Sequence, residues 1–222
     1  RFPLKPLLPE DHEITLFREF TQKYKIIQNI ETIVIDEVSM LRSDLLEAID
    51  YSLRKNGGDP EKPFGGKQIL FVGDIFQLPP VTDSTDEVEN FLFSEEYRSE
   101  YFFDSKAYKK ISPLYFEFQL SHRQKDDLPF VEILDRIRVC NVDERTLSSI
   151  NERYNPNFTP RNEDFIITLT SINAIANVEN SRKLQDLNYT RFTFDADIVG
   201  EFKEEKYPTQ KTLELKNSLR LY

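Results

Sequence analysis

The sequence predicts an α/β fold in which helices flank a parallel sheet, on three observations. Thr32–Met40, TIVIDEVSM, is a short aliphatic run that breaks off into acidic residues. Gln68–Val81, QILFVGDIFQLPPV, repeats the pattern and ends in glycine, acid, amide and a proline pair. Runs of this length, rich in Ile and Val, read as strands buried on both faces of a parallel sheet. Between them Leu45, Leu46, Ile49 and Leu53 make one apolar stripe at helical spacing, for a helix packed on that sheet.

Ligands of open α/β sheets collect at the carboxyl ends of the strands. Asp36 and Glu37 leave one strand, and Gly73, Asp74 and Gln77 leave the other, so all five are expected beside a common crevice. The chemistry suited to that set is phosphoryl transfer to water. It needs Mg²⁺ on the terminal phosphates of a nucleotide, a carboxylate for the metal and a group that orients the attacking water. Asp36 suits the metal, held through a water because Mg²⁺ keeps much of its hydration. Glu37 can polarise the attacking water, and Gln77 can hydrogen-bond both that water and the terminal phosphate. The plain alternative is that Asp36 and Glu37 start a loop or helix, where acids favour the dipole. An aliphatic run followed by Asp-Glu is common by itself; its pairing with GDIFQLPPV favours the phosphoryl reading.

VIDEVSM followed by FVGDIFQLPPV resembles the Pif1-like branch of superfamily 1 DNA helicases, related to RecD. The first segment is similar to their Walker B element and the second to their motif III. The resemblance implies a RecA-like P-loop NTPase sheet, ATP and Mg²⁺ as cofactors, and single-stranded DNA as partner of a monomeric motor moving 5′ to 3′. It also implies that Pro79 and its neighbours lie between nucleotide and DNA. A phosphate-cradling loop, GxxxxGK[ST], is not found: Gly65-Gly66-Lys67 lacks both the spacing and the Ser or Thr. The expectation is therefore an internal piece of a longer protein, itself negligible as an ATPase. Another RecA-like NTPase switch and a non-catalytic interaction module remain as alternatives.

Composition bounds these readings. The 222 residues, 39% hydrophobic and 31% charged, suit one large soluble domain or parts of two. No apolar run approaches the roughly 18 residues that span a bilayer. No secretory leader is visible, and one cysteine, Cys140, allows no internal disulfide, which fits a reducing compartment. The cytoplasm, a nucleoid and a nucleus fit equally well. Cys140 itself reads as a helix-face or core residue. The net charge of −10 counts against DNA binding by these residues alone, since Lys and Arg normally supply that affinity.

In chain order, residues 1–12 are proline-rich and read as an extended arm, in which Phe2 and Pro3 resemble the end of the family's motif Ia. Glu13–Tyr24 reads as a helix. Ser39 or Ser43 can cap the helix carrying Leu45 to Leu53, and Gly57-Gly58 can end it. Residues 55–67 read as a solvated loop and the acidic 82–100 as a surface excursion, while Tyr101–Phe103 read as buried. Leu114–Leu120 alternates like a strand. Arg123 follows it, suited to binding a terminal phosphate bidentately; the resemblance places it in motif IV. Asp126-Asp127 can cap a helix with Phe130, Ile133, Leu134 and Ile137 inward, and Asp143–Tyr154 reads as a second helix.

Residues 1–154 are thus expected to form a partial first RecA-like domain, with 155–163 as a linker. Residues 164–222 are expected to begin a second RecA-like domain. In it Phe165–Thr170 reads as a buried strand, Ile172–Leu187 as a helix and 189–202 as an edge hairpin. Ser171 and Asn173, at a strand exit and helix start, could donate to a DNA phosphate or cap the helix.

Overall fold

The computed structural model describes residues 6–7, 14–120, 122, 127–159, 166–199, 207 and 209–216. The chain divides into two compact units, Arg1–Val142 and Asp143–Tyr222.

In the first unit, helix α1 (Gln22–Asn29) begins where the Thr21 hydroxyl accepts the Tyr24 N–H at 3.3 Å. The helix expected at Glu13–Tyr24 therefore starts a full segment later. The reason is Asn56, whose side chain accepts the Phe17 N–H at 2.7 Å and donates to the Thr15 carbonyl at 3.1 Å. Those bonds engage the Thr15 carbonyl and the Phe17 N–H without a helix.

Strands β1 (Thr32–Ile35) and β2 (Gln68–Phe71) are parallel neighbours in register from Thr32 opposite Gln68 to Ile35 opposite Phe71. Helix α2 (Ser43–Lys55) connects them and lays Leu46 and Leu53 on the core. Ile33, Ile35, Ile69 and Phe71 face that core, which also holds Val38, Leu41, Phe64, Phe102 and Ala107. Alternation turns Val34 and Leu70 the other way, where they are 59% and 51% exposed. The expectation of strands buried on both faces fails for this reason: among the described residues, α2 and its neighbours cover one face only.

Neither Ser39 nor Ser43 caps α2. Its N-cap is Arg42, and Ser43 instead donates its hydroxyl to the Ser99 carbonyl at 3.0 Å. The helix ends as expected near the glycine pair, where the Gly58 N–H donates to the Leu53 carbonyl at 3.0 Å. A Cβ on Gly58 would lie 2.7 Å from the Gly65 Cα, so this return needs glycine. The 55–67 segment is consequently folded back rather than solvated throughout. Phe64 is buried, and its N–H donates to Asp50 Oδ1 at 2.5 Å.

Helix α3 (Glu87–Phe91), a single π-helical turn (Leu92–Glu96) and helix α4 (Lys106–Lys109) follow. The acidic 82–100 segment is anchored rather than free. Buried Glu89 accepts from Arg42 Nη1 at 3.0 Å and from the Asp83 N–H at 2.6 Å. Arg42 also pairs with buried Asp44 at 2.6 Å, which accepts the Leu7 N–H at 2.9 Å. Phe102 is buried as expected and stacks on Phe71 with centroids 5.5 Å apart, whereas Phe103 lies at the surface against Tyr101.

Leu114–Leu120 forms no strand and pairs with none among the described residues, leaving Leu114, Phe116, Phe118 and Leu120 exposed. A strand pattern without a ladder partner forms no sheet. Helix α5 (Leu128–Arg138) is capped by Asp127, whose Oδ1 accepts the Phe130 N–H at 3.2 Å. Leu134 and Ile137, expected inward, are exposed. Cys140 lies beyond α5, exposed and with φ +54°, so it is neither a helix-face nor a core residue.

The second unit holds helices α6 (Glu144–Asn151) and α7 (Asn173–Asp186) and strands β3 (Arg191–Asp195) and β4 (Thr212–Lys216). Asp143 caps α6 by accepting the Thr146 N–H at 2.8 Å. Residues 166–170 form no strand and expose Ile167 and Leu169, while Phe165 lies outside the described residues. The hairpin expected within 189–202 is replaced by antiparallel pairing of β3 with β4. Phe192 sits opposite Leu215 and Phe194 opposite Leu213 in that register.

Candidate functional site

The site is the end of the β1–β2 pair. Val72 continues β2 by donating its N–H to the Ile35 carbonyl at 2.9 Å, and the Val38 N–H returns to the Val72 carbonyl at 3.0 Å. Between these bonds the chain turns at Asp36 and Glu37. Glu37 adopts φ +50°, ψ +46°, left-handed backbone that a non-glycine residue seldom takes. Asp36 Oδ1 accepts the Glu37 N–H at 2.9 Å and braces the turn.

Gly73 closes against this turn. With φ +154°, it comes so near that an added Cβ would sit 2.8 Å from the Val38 nitrogen. Only glycine lets the two turns touch. The acid pair and the start of the Gly-Asp-x-x-Gln turn thus meet at one end of the sheet, which the sequence alone could propose but not demonstrate.

In the second turn the Asp74 carbonyl accepts the Gln77 N–H at 3.0 Å. Asp74 Oδ1 accepts the Phe76 N–H at 3.1 Å, and Oδ2 accepts from Gln77 Nε2 at 3.4 Å. Arg138, the last residue of α5, pairs with the same Oδ2 at 3.0 Å. Sequence reasoning missed this arginine. A basic residue in a last helical turn is explained by the helix dipole, so nothing local links it to Asp74.

Asp36, Glu37, Gln77 and Pro79 are all exposed, while Pro80 is buried. Among the described residues no three His, Cys, Asp or Glu side chains form a metal cluster. Mg²⁺ is commonly bound by one or two carboxylates plus waters and phosphates rather than by a full protein cage. Asp36 fits the part, because the Glu37 N–H occupies only one of its oxygens. Arg123 lies outside the described residues. Ser171 and Asn173 are exposed at the start of α7, whose N-cap is Ile172, with no side-chain cap.

Residues 5–146 match the profile of the family described as PIF1-like helicase. ATP-dependent DNA helicase PIF1 of Saccharomyces cerevisiae (strain YJM789) is 31% identical over 179 residues, covering 81% of this chain and 19% of the relative. ATP-dependent DNA helicase Pif1 of Campylobacter jejuni is 31% identical over 192 residues, covering 85% of this chain and 39% of the relative. A crystal structure of Bacteroides Pif1 bound to ssDNA matches with TM-score 0.72 at 29% identity, over 97% of this chain and 48% of that one. Bacteroides Pif1 in complex with ADP-AlF3 and ssDNA matches at TM-score 0.70 and 28% identity, over 96% and 48%. The chain therefore spans under two fifths of these curated relatives and about half of the solved chains. Its α/β architecture is the RecA-like one of those helicases. The chain belongs to the PIF1-like helicase family.

Proposed function

We propose that the protein containing this chain is an ATP-dependent DNA helicase that couples hydrolysis to translocation on single-stranded DNA and to duplex unwinding. Its relatives are named ATP-dependent DNA helicases, and solved ones hold ssDNA and ADP-AlF3. In this reading residues 1–154 belong to a first RecA-like domain, 155–163 to a linker and 164–222 to the start of a second, so that α6 counts with the first domain although the compact units part at Val142. The observation that carries the proposal is the seat of Gly73 on the Glu37–Val38 peptide, which supports one shared site for both turns.

Asp36 would hold Mg²⁺ through a water, and the bound ion would neutralise charge on the terminal phosphates. Glu37, exposed on its left-handed turn, takes a proton from the attacking water. Gln77 hydrogen-bonds that water and the terminal phosphate. Arg123 offsets the charge that develops on the transferred group. Pro79, Ser171 and Asn173 contact the DNA strand, the latter two through phosphate. The 222 residues alone, lacking a GxxxxGK[ST] sequence, turn over ATP negligibly.

Glu37→Gln in the full-length protein is the test. It should abolish hydrolysis and retain ATP, read by steady-state turnover and by nucleotide binding. Unwinding at the parent rate would remove Glu37 from the role of base. Stimulation of the parent ATPase by single-stranded DNA separates a helicase from an NTPase switch. One solved assembly is described as two coordinating Pif1 helicases at forked dsDNA; sedimentation with and without a fork tests the monomeric state proposed for this protein.

A further inference from the structure

We propose that Arg138 is a positioning residue for Gln77, acting through Asp74; this rests on the reading of Gln77 as the water- and phosphate-orienting group. Asp74 Oδ2 is shared by two donors, Arg138 Nη2 at 3.0 Å and Gln77 Nε2 at 3.4 Å. An ionised carboxylate only accepts hydrogen bonds. It therefore selects one orientation of the Gln77 amide, with Nε2 toward Asp74 and Oε1 away from it. Oriented this way, Gln77 presents an acceptor for a proton of the attacking water and keeps its second N–H for a phosphate oxygen.

Asp74 is already committed to the turn, accepting the Phe76 N–H through Oδ1. Left without a cation, its charge would repel a triphosphate nearby. Arg138 supplies that cation from the end of α5 and is itself held by Asp135, one turn back, with Nη1 3.7 Å from Oδ1. The Arg138 side chain is 46% exposed, so solvent screens the pair and its effect is modest. What it contributes is the orientation of the amide, a term that appears in turnover rather than in folding.

The experiment is a double-mutant cycle on ssDNA-stimulated ATP hydrolysis by the full-length protein, with Gln77→Ala, Arg138→Met and the pair, each melted in parallel. Gln77→Ala should lower kcat by at least about tenfold. Arg138→Met should lower kcat by about fivefold, with KM for ATP within about twofold and Tm within about 2 °C of the parent. The double variant should match Gln77→Ala within about twofold, because Arg138 acts through Gln77. If Arg138→Met does not fold, Arg138→Gln takes its place with the same expectations. Parent-like kcat in the arginine variant, or two defects that multiply, would overturn the proposal while leaving Gln77 in place. Parent-like kcat in Gln77→Ala would remove the Gln77 reading and this proposal together.

Discussion

The contact between the two turns can be challenged with one methyl group. Gly73→Ala places a Cβ 2.8 Å from the Val38 nitrogen and 3.2 Å from its Cγ1, at φ +154°. The first is backbone and cannot swing aside, so the turns must separate. Backbone strain of this kind costs roughly 1–3 kcal/mol. Separation also stretches the bond from the Val38 N–H to the Val72 carbonyl, and an unpaired buried donor costs roughly 1–3 kcal/mol. Partial relaxation of each leaves a net loss of about 2–4 kcal/mol. At roughly 2–4 °C per kcal/mol for a chain of this size, Tm should fall by about 5–15 °C. Thermal unfolding followed by circular dichroism reads this, and ATPase activity of the full-length variant should fall more than the stability loss alone explains. A Tm within a degree of the parent together with unchanged turnover would mean that the two turns do not meet as described.

Three further outcomes follow from the first unit. Asp50 is buried, accepting the Phe64 N–H at 2.5 Å and the Arg54 Nε–H at 2.9 Å; Asp50→Ala should cost about 2–4 kcal/mol in urea unfolding by orphaning both donors. The Tyr97 hydroxyl is buried with no hydrogen-bond partner among the described residues, and desolvation pushes its pKa up. Tyr97→Phe should therefore hold or raise stability, by up to about 1 kcal/mol in the same assay. Partial burial pushes the Asp104 carboxyl up, but bonds from Ser99 at 2.6 Å and Lys109 at 2.9 Å outweigh it and leave the pKa below the ordinary value. A depressed carboxylate stabilises the fold above its unfolded pKa near 4, and that share is lost as pH falls through the lower, folded value. Asp104→Asn should accordingly flatten the acid limb of the Tm–pH profile below about pH 4 and lower Tm at pH 7.

The sequence by itself determined the parallel pair, the helix between its strands and the acid, glycine and amide residues at the strand ends. These depend on local patterns: short aliphatic runs, an apolar stripe at helical spacing and turn residues where each run stops. Tertiary structure alone decided which faces are covered. Val34 and Leu70 are as aliphatic as Ile33 and Ile69, yet they are exposed because α2 packs on the other side. Leu114–Leu120 and residues 166–170 have strand patterns and no ladder partner among the described residues, whereas β3 found its match in β4. Asn56 holding Thr15 and Phe17, Arg42 on Glu89, and Arg138 on Asp74 were equally invisible. Each joins polar groups that residue spacing does not connect. A side chain's own neighbours set its conformational preference, but its burial and its charge partner depend on which distant segment the fold brings beside it.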